Sequence, residues 1–191
     1  MNDLTSNLGC ICSINLDPTM LLVDNNIFLF RWWEWEEFII SAIYASPNFI
    51  QRRLLWNNLS NIQLQYNLSW CRIGDFNISI GAHEHKGTFQ PTRLPMKDFQ
   101  DWTDINQLIH LPARGMFFTQ TNGRGGNNYA QKTLDISICN LMWIDMCSYV
   151  SCSTTIKHIY DHYHLLLDFR FEEIRFASQF RFENVVITPW M

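Results

Sequence analysis

Over the first third of the chain, short apolar runs alternate with turn formers. Cys10 to Ile14, Met20 to Val23, Ile27 to Trp33 and Phe38 to Tyr44 are separated by breaks such as Asp17-Pro18 and Asp24-Asn25-Asn26. Runs of that length between such breaks predict strands. Trp32-Trp33-Glu34-Trp35-Glu36-Glu37 reads as a hairpin tip between the last two. The period then changes. Ser46-Pro47 predicts a strand end and a helix start, with proline in the first turn. Leu55, Leu59, Ile62 and Tyr66 follow at helical spacing and predict one buried face. A second helix is expected from about Leu94 to Asp104, burying Met96, Phe99 and Trp102. Trp70 to Asp75 reads as a buried strand. Gly115 to Thr121, Lys132 to Ile138, Val150 to Ile159 and Leu165 to Phe171 complete the strands, with a loop over Asn122 to Asn128. Strand clusters interrupted by single helices predict an α+β fold, with sheets packed face to face and helices outside.

A chain of 191 residues suits one domain with a substantial core. Its 15% aromatic content points to bulky packing between layers. The net charge of −4 gives no general attraction to polyanions, so nucleic-acid binding would need a local basic patch. Arg52-Arg53, Arg72, Arg93, Arg114, Arg124 and Lys132 are its candidates, against the plainer reading of solvated surface. The six cysteines lack the paired spacing of a zinc site, and no leader pattern precedes them. They read as free thiols in a reducing compartment, which leaves the sequons at Asn58, Asn67 and Asn77 unglycosylated. No apolar run is long enough to predict a membrane span.

The candidate chemistry is concentrated in three fragments. Gly74-Asp75-Phe76-Asn77 closes an apolar strand, and a period of two puts Asp75 and Asn77 on one side. Leu134-Asp135-Ile136-Ser137 and Asp161-His162-Tyr163 come later, each beside an apolar strand. Together they form a workable kit for hydrolysing a phosphate ester, which needs a base, donors for the phosphoryl oxygens and usually a divalent metal. Asp75 suits the base, and Asn77 an amide donor to the phosphate. His162 suits a phosphate contact held by Asp135, Asp161 a hard oxygen ligand for Mg²⁺, and Tyr44 a phenol aimed into the same mouth. Each fragment alone has a plainer reading. Gly-Asp-Phe-Asn is a good turn or cap sequence, and Asp161-His162 a plausible surface pair. His83-Glu84-His85 reads as solvated loop rather than a metal site, and the glycine-rich loop lacks the Lys-Ser/Thr ending of a phosphate cradle.

With these motifs in order, the chain resembles the endonuclease domain of plant LINE-type (non-LTR) retrotransposons, a branch of the endonuclease/exonuclease/phosphatase superfamily. The resemblance is carried by Ile43-Tyr44-Ala45-Ser46-Pro47, Arg52-Arg53-Leu54-Leu55-Trp56 and Gly74-Asp75-Phe76-Asn77. It continues through Phe118-Thr119-Gln120-Thr121-Asn122, Leu134-Asp135 and Asp161-His162-Tyr163. It implies a four-layer sandwich of two packed β-sheets flanked by helices. It also implies Mg²⁺-dependent nicking of DNA (Mn²⁺ being an alternative ion), which would prime reverse transcription on a nuclear substrate. No obligate protein partner and no membrane follow from it.

By this resemblance Tyr44 matches a phosphate-site tyrosine, Asp75 the water-activating aspartate and Asn77 the phosphate-contacting asparagine. His162 matches the catalytic histidine, Asp135 its partner and Asp161 an acid near the metal. The expected domain covers residues 1–182, lacking its first strands, with a tail at 183–191. Family members open with strands bearing an Asn and a metal-binding Glu, for which this chain shows no counterpart. They also usually carry Trp at Gln120, Arg at Thr133, Arg or an aromatic at Ile136, Ser at Tyr160 and Pro at His164. These departures imply weakened or lost activity. The alternatives are a non-catalytic nucleic-acid or protein binding module, or a pseudogene fragment.

Overall fold

The computed structural model describes residues 9–12, 19–23, 26–32, 37–87, 91–155, 162–171 and 185–188. The first half contains β1 (Gly9–Cys12), β2 (Thr19–Val23), β3 (Ile27–Trp32), β4 (Phe38–Tyr44), α1 (Phe49–Tyr66), β5 (Ser69–Asp75), β6 (His85–Lys86) and α2 (Arg93–Ile105). Then come β7 (Ile109–Leu111), β8 (Ala113–Arg114), β9 (Gln120–Thr121), β10 (Gln131–Lys132) and β11 (Asp135–Cys139). The remainder is α3 (Leu141–Met146), β12 (Cys147–Thr154), β13 (Leu165–Phe171) and β14 (Val185–Thr188). Three sheets result, ordered β2-β3-β4-β5-β11-β7, β1-β14-β13-β12-β8 and β6-β10-β9. Within the largest sheet β4 and β5 run parallel, a pairing that requires a crossover, and α1 supplies it.

Alternation along the central strands sorts side chains into two cores. On one face Ile39, Ile43, Trp70, Ile136 and Ile138 pack with Leu55, Trp56 and Leu59 of α1 and Phe99 and Trp102 of α2. Trp56 stacks on Trp102 with ring centroids 4.8 Å apart. On the other face Phe38, Ile40, Ala42, Cys71, Ile73 and Cys139 meet Cys152, Leu165, Leu167 and Phe169 of the second sheet. The cysteines of this second core are free thiols, and burial pushes Cys139 and Cys152 up to about 12. α3 lies against β5 and β12. Its Trp143 is fully buried and meets Phe38 and Phe169 edge-on, closing one end of the inter-sheet core. The α+β sandwich of packed sheets with flanking helices is therefore present. Among the described residues α1 and α2 cover one outer face, and α3 lies at an end of the inter-sheet core.

Several local expectations change. Asn48, rather than the proline, starts α1. Its side chain accepts from the backbone N–H of Ile50 and Gln51, so Pro47 stands before the cap. The strand expected over Gly115 to Thr121 shrinks to β9. Gly115 has φ +106°, and the backbone N–H of Met116 donates to the Thr154 hydroxyl, so this stretch is pinned by side chains instead of a ladder. Lys132 to Ile138 divides at Thr133-Leu134 into β10 and β11, which serve different sheets. α3 had no sequence signal beyond Asn140, whose side chain accepts from Trp143 N–H. Within the expected tail, Val185–Thr188 forms β14 between β1 and β13. The expected hairpin-tip residues 33–36 lie outside the described residues, although Trp32 and Phe38 are register partners.

Two of the cations proposed for a surface patch are inside. Arg72 is 1% exposed, its guanidinium lies 3.7 Å above the Trp70 ring, and Gln63 accepts from its Nη2. Burial lowers its pKa to about 9. Arg52 is also buried and donates from Nη1 to the carbonyls of Ser46 and Pro47, fixing the turn after β4.

Candidate active site

One register row crosses the end of the largest sheet. Tyr44 on β4 is the Cα partner of Asp75 on β5, and Asp75 is the partner of Asp135 on β11. Counting by twos from Cys71, Ile73 and Cys139 puts Asp75 and Asp135 on the inter-sheet face, and the same count from Ala42 puts Tyr44 there. Phe76 N–H donates to Leu134 O at 2.9 Å, which makes Asp75 and Asp135 a non-hydrogen-bonded pair. That is the pair type whose side chains approach most closely in an antiparallel ladder. Two buried carboxylates face each other there, an arrangement that repels itself unless positive charge is nearby.

The strand-end sequence explains the placement. Gly74 has φ +142°, and a Cβ there would come 2.1 Å from Ile43 O, so only glycine lets β5 lie this close to β4. Phe76 is fully buried among Trp56 and Phe99 on the helix side, which anchors the turn while Asp75 faces the other way. Asn77 takes a left-handed conformation, φ +50°, that Asn tolerates better than most residues. Its backbone N–H donates to Asp75 Oδ1 at 2.8 Å. Its amide Nδ2 donates to Ala45 O at 2.8 Å and to Asp75 Oδ2 at 3.1 Å. Both amide hydrogens are thus engaged in holding Asp75 and the β4 turn together.

The segment just before β13 brings the histidine. His162 Nδ1 lies 2.9 Å from Asp135 Oδ2, and Nε2 lies 3.9 Å from Asp75 Oδ2. With Asp135 as acceptor, Nδ1 carries the proton and Nε2 faces Asp75. The Nε2–Oδ2 gap exceeds hydrogen-bond length, yet an oxygen at its side can reach both groups. His162 is bridged to Gln120, and Tyr163 N–H donates to Thr119 O at 2.8 Å. Thr119, 1% exposed, also accepts at Oγ1 from Leu134 N–H at 3.0 Å and Asp135 N–H at 3.1 Å. One threonine therefore ties the histidine segment to the start of β11. In the sequence Thr119 stands out only as part of Phe118-Thr119-Gln120-Thr121-Asn122, a hydroxyl following two phenylalanines.

Of the sequence candidates, Asp75, Asn77, Asp135 and His162 meet at one place, and Tyr44 stands in the same row. Asp161, proposed as a metal ligand, lies outside the described residues, as does Tyr160. Glu84 differs from the solvated loop expected at His83-Glu84-His85. It is buried, accepts from Ile80 N–H, and burial raises its pKa. Asp75, Asp135 and His162 each offer a ligand atom within 4.8 Å of the others. The two carboxylates fit a small divalent cation such as Mg²⁺ or Mn²⁺, and the imidazole could join them only while its Nε2 is unprotonated.

Neither family models nor curated protein sequences give a match to this chain. Solved structures do. The structural neighbours have the endonuclease/exonuclease/phosphatase fold and include the endonuclease domain of a non-LTR retrotransposon. That domain, from the telomere-specific element TRAS1, superposes with a TM-score of 0.64 at 13% identity, covering 87% of this chain and 80% of that one. The 3′-5′ exonuclease NExo of Neisseria meningitidis gives 0.59 at 13% identity over 86% and 80%. An AP endonuclease of Archaeoglobus fulgidus gives 0.52 at 8% identity over 92% and 70%. At such identities the likeness is one of fold.

Proposed function

We propose that the site hydrolyses phosphodiester bonds in DNA with a divalent metal, as the endonuclease domain of a non-LTR, LINE-type retroelement. The observation that carries this reading is the His162–Asp135 contact at 2.9 Å with Asp75 opposite, assembled from two neighbouring strands of the largest sheet and the segment before β13. Asp75 takes the proton of the attacking water, and Asn77 keeps its carboxylate oriented. Asp135 fixes the His162 tautomer through Nδ1, so that Nε2 is the nitrogen turned to a phosphoryl oxygen, to which it donates when protonated. Tyr44 stands beside Asp75 in the register row and would add a phenolic donor at the same oxygens. For Asn77 to contact phosphate directly, one of its two amide bonds must be exchanged.

A bound Mg²⁺ or Mn²⁺ would supply positive charge that offsets the facing carboxylates and polarises the phosphoryl group. Asp75 and Asp135 are the acids of the ligand group found among the described residues. Mg²⁺ relies on several fixed oxygens, so a site with so few protein oxygens binds it weakly. Slow turnover is expected.

Nicking of supercoiled plasmid with added Mg²⁺ or Mn²⁺ tests the proposal. Asp75→Ala and His162→Ala should each lower the rate by about a hundredfold or more. Activity that survives both substitutions removes the site assignment. A non-catalytic DNA-binding module would instead hold plasmid equally with and without metal and leave it intact.

A further inference from the structure

The chain has no acidic residue between Asp104 and Asp135, although it is acidic as a whole. Arg114, Arg124 and Lys132 stand in that stretch. The segment from Phe76 to Lys97 holds a single acid, Glu84, and that residue is buried. The fold pairs these two segments in the small sheet β6-β10-β9, which adjoins the site through the Gln120–His162 bridge. The charges of this sheet and of the loop joining β9 to β10 are therefore of one sign, with Lys86 and Arg124 exposed.

Beside this sheet stands an aromatic residue that is fixed in place and open to solvent. Phe117 is 54% exposed and Met116 is 46% exposed. Phe117 O accepts from Thr133 Oγ1 at 2.6 Å, and the ring meets Phe118 edge-on at 5.0 Å. The backbone is held, the His83 ring lies 6.1 Å from that of Phe117, and much of the residue stays open to solvent. Two residues further on, Thr119 holds the backbone of Asp135, so the platform is tied to the triad. A lone exposed phenylalanine is ordinary. An exposed one whose backbone is tied to the site through Thr133 and Thr119, in a stretch of chain that carries cations and no acids, has the features of a single-strand binding platform.

We propose that Phe117 stacks on an unpaired base of the DNA strand entering the site, while the acid-free small sheet carries that strand's phosphates. This deepens the phosphodiesterase reading and rests on it. The favoured substrate is then DNA with an unpaired stretch beside the cleaved bond, because a base inside an intact duplex has no free face to offer.

The test is fluorescence anisotropy on the full chain with metal chelated, using a labelled single-stranded oligonucleotide and its blunt duplex. Phe117→Ala should weaken single-strand binding about tenfold or more, with duplex binding changed less than about twofold. Phe117→Trp should retain the single-strand affinity. A Phe117→Ala affinity within about twofold of the parent, or equal losses on strand and duplex, overturns the proposal. So does a Trp variant that melts like the parent yet has lost the affinity. Lys86→Gln, on β6, provides an arm independent of the aromatic site, and it should reduce the slope of log affinity against log salt by about one. An unchanged slope removes the small sheet from the interface. Because binding is read without metal, the outcomes separate. A chain that binds in this pattern without nicking refutes the hydrolytic reading, and a chain that nicks with no Phe117 effect refutes the platform.

Discussion

Replacing Thr119 by valine removes one oxygen and should disturb both the stability and the site. Valine keeps the shape of threonine, but the backbone N–H groups of Leu134 and Asp135 then lose the acceptor they share at 3.0 and 3.1 Å. Both residues are buried, as is Thr119 itself, so water does not readily replace the hydroxyl. A buried donor left unpaired costs about 1–3 kcal/mol. Two donors sharing one acceptor bring the loss to roughly 2–4 kcal/mol, a large part of the roughly 5–15 kcal/mol that holds a domain of this kind together. Thr119→Ser is the control. It keeps the acceptor and removes one methyl, at a cost of about 1 kcal/mol. Urea unfolding of the three proteins, analysed at a common slope, measures the difference. Under conditions where the valine variant is folded, its nicking should also fall about tenfold, because the Asp135 backbone is no longer fixed against the His162 segment. A valine variant within about 0.5 kcal/mol of the serine variant would refute the claim that these two hydrogen bonds hold the start of β11.

Gly74→Ala should be worse. The added Cβ would lie 2.1 Å from Ile43 O at a φ of +142°, so β4 and β5 must separate beside Asp75. A loss of about 4 kcal/mol or more, read as failure to fold or a greatly lowered urea midpoint, is expected. A normal midpoint would mean that the strands do not approach as described. His110 supplies a pH dependence. Burial lowers its pKa below the ordinary 6.5, with Asp104 opposing. The unfolded chain therefore takes up this proton first as the pH falls, and stability drops from about pH 7 toward pH 5. His110→Leu should flatten that slope in urea midpoints measured across the range, whereas an unchanged slope would place the titration elsewhere. Glu84, whose raised pKa acts in the opposite sense at lower pH, is common to both proteins and cancels in the comparison.

The sequence determined a good deal. Strands of period two and the helical stripe Leu55, Leu59, Ile62 and Tyr66 were legible because each buries one face of a regular element, and a one-sided pattern survives in the letters. The order of Gly74-Asp75-Phe76-Asn77, Asp135 and His162 marked the same side chains that the fold brings together. Position 74 was fixed by backbone sterics, and Asn77 sits where a left-handed residue is needed.

What the letters could not carry was pairing. β5 lies between a parallel neighbour, β4, and an antiparallel one, β11, and that choice alone puts Tyr44, Asp75 and Asp135 in one row. Strand pairing joins residues far apart in sequence, and no local period records the partner. The same reason hid the division of Lys132 to Ile138 between two sheets and the dual grip of Thr119. It also hid Arg72, which the sequence offers as a surface cation and the fold buries against Trp70. Sequence supplied the reactive groups and the faces they occupy. Only the packing of two sheets around them set His162 against Asp135, because that distance depends on contacts that form when the whole chain has collapsed.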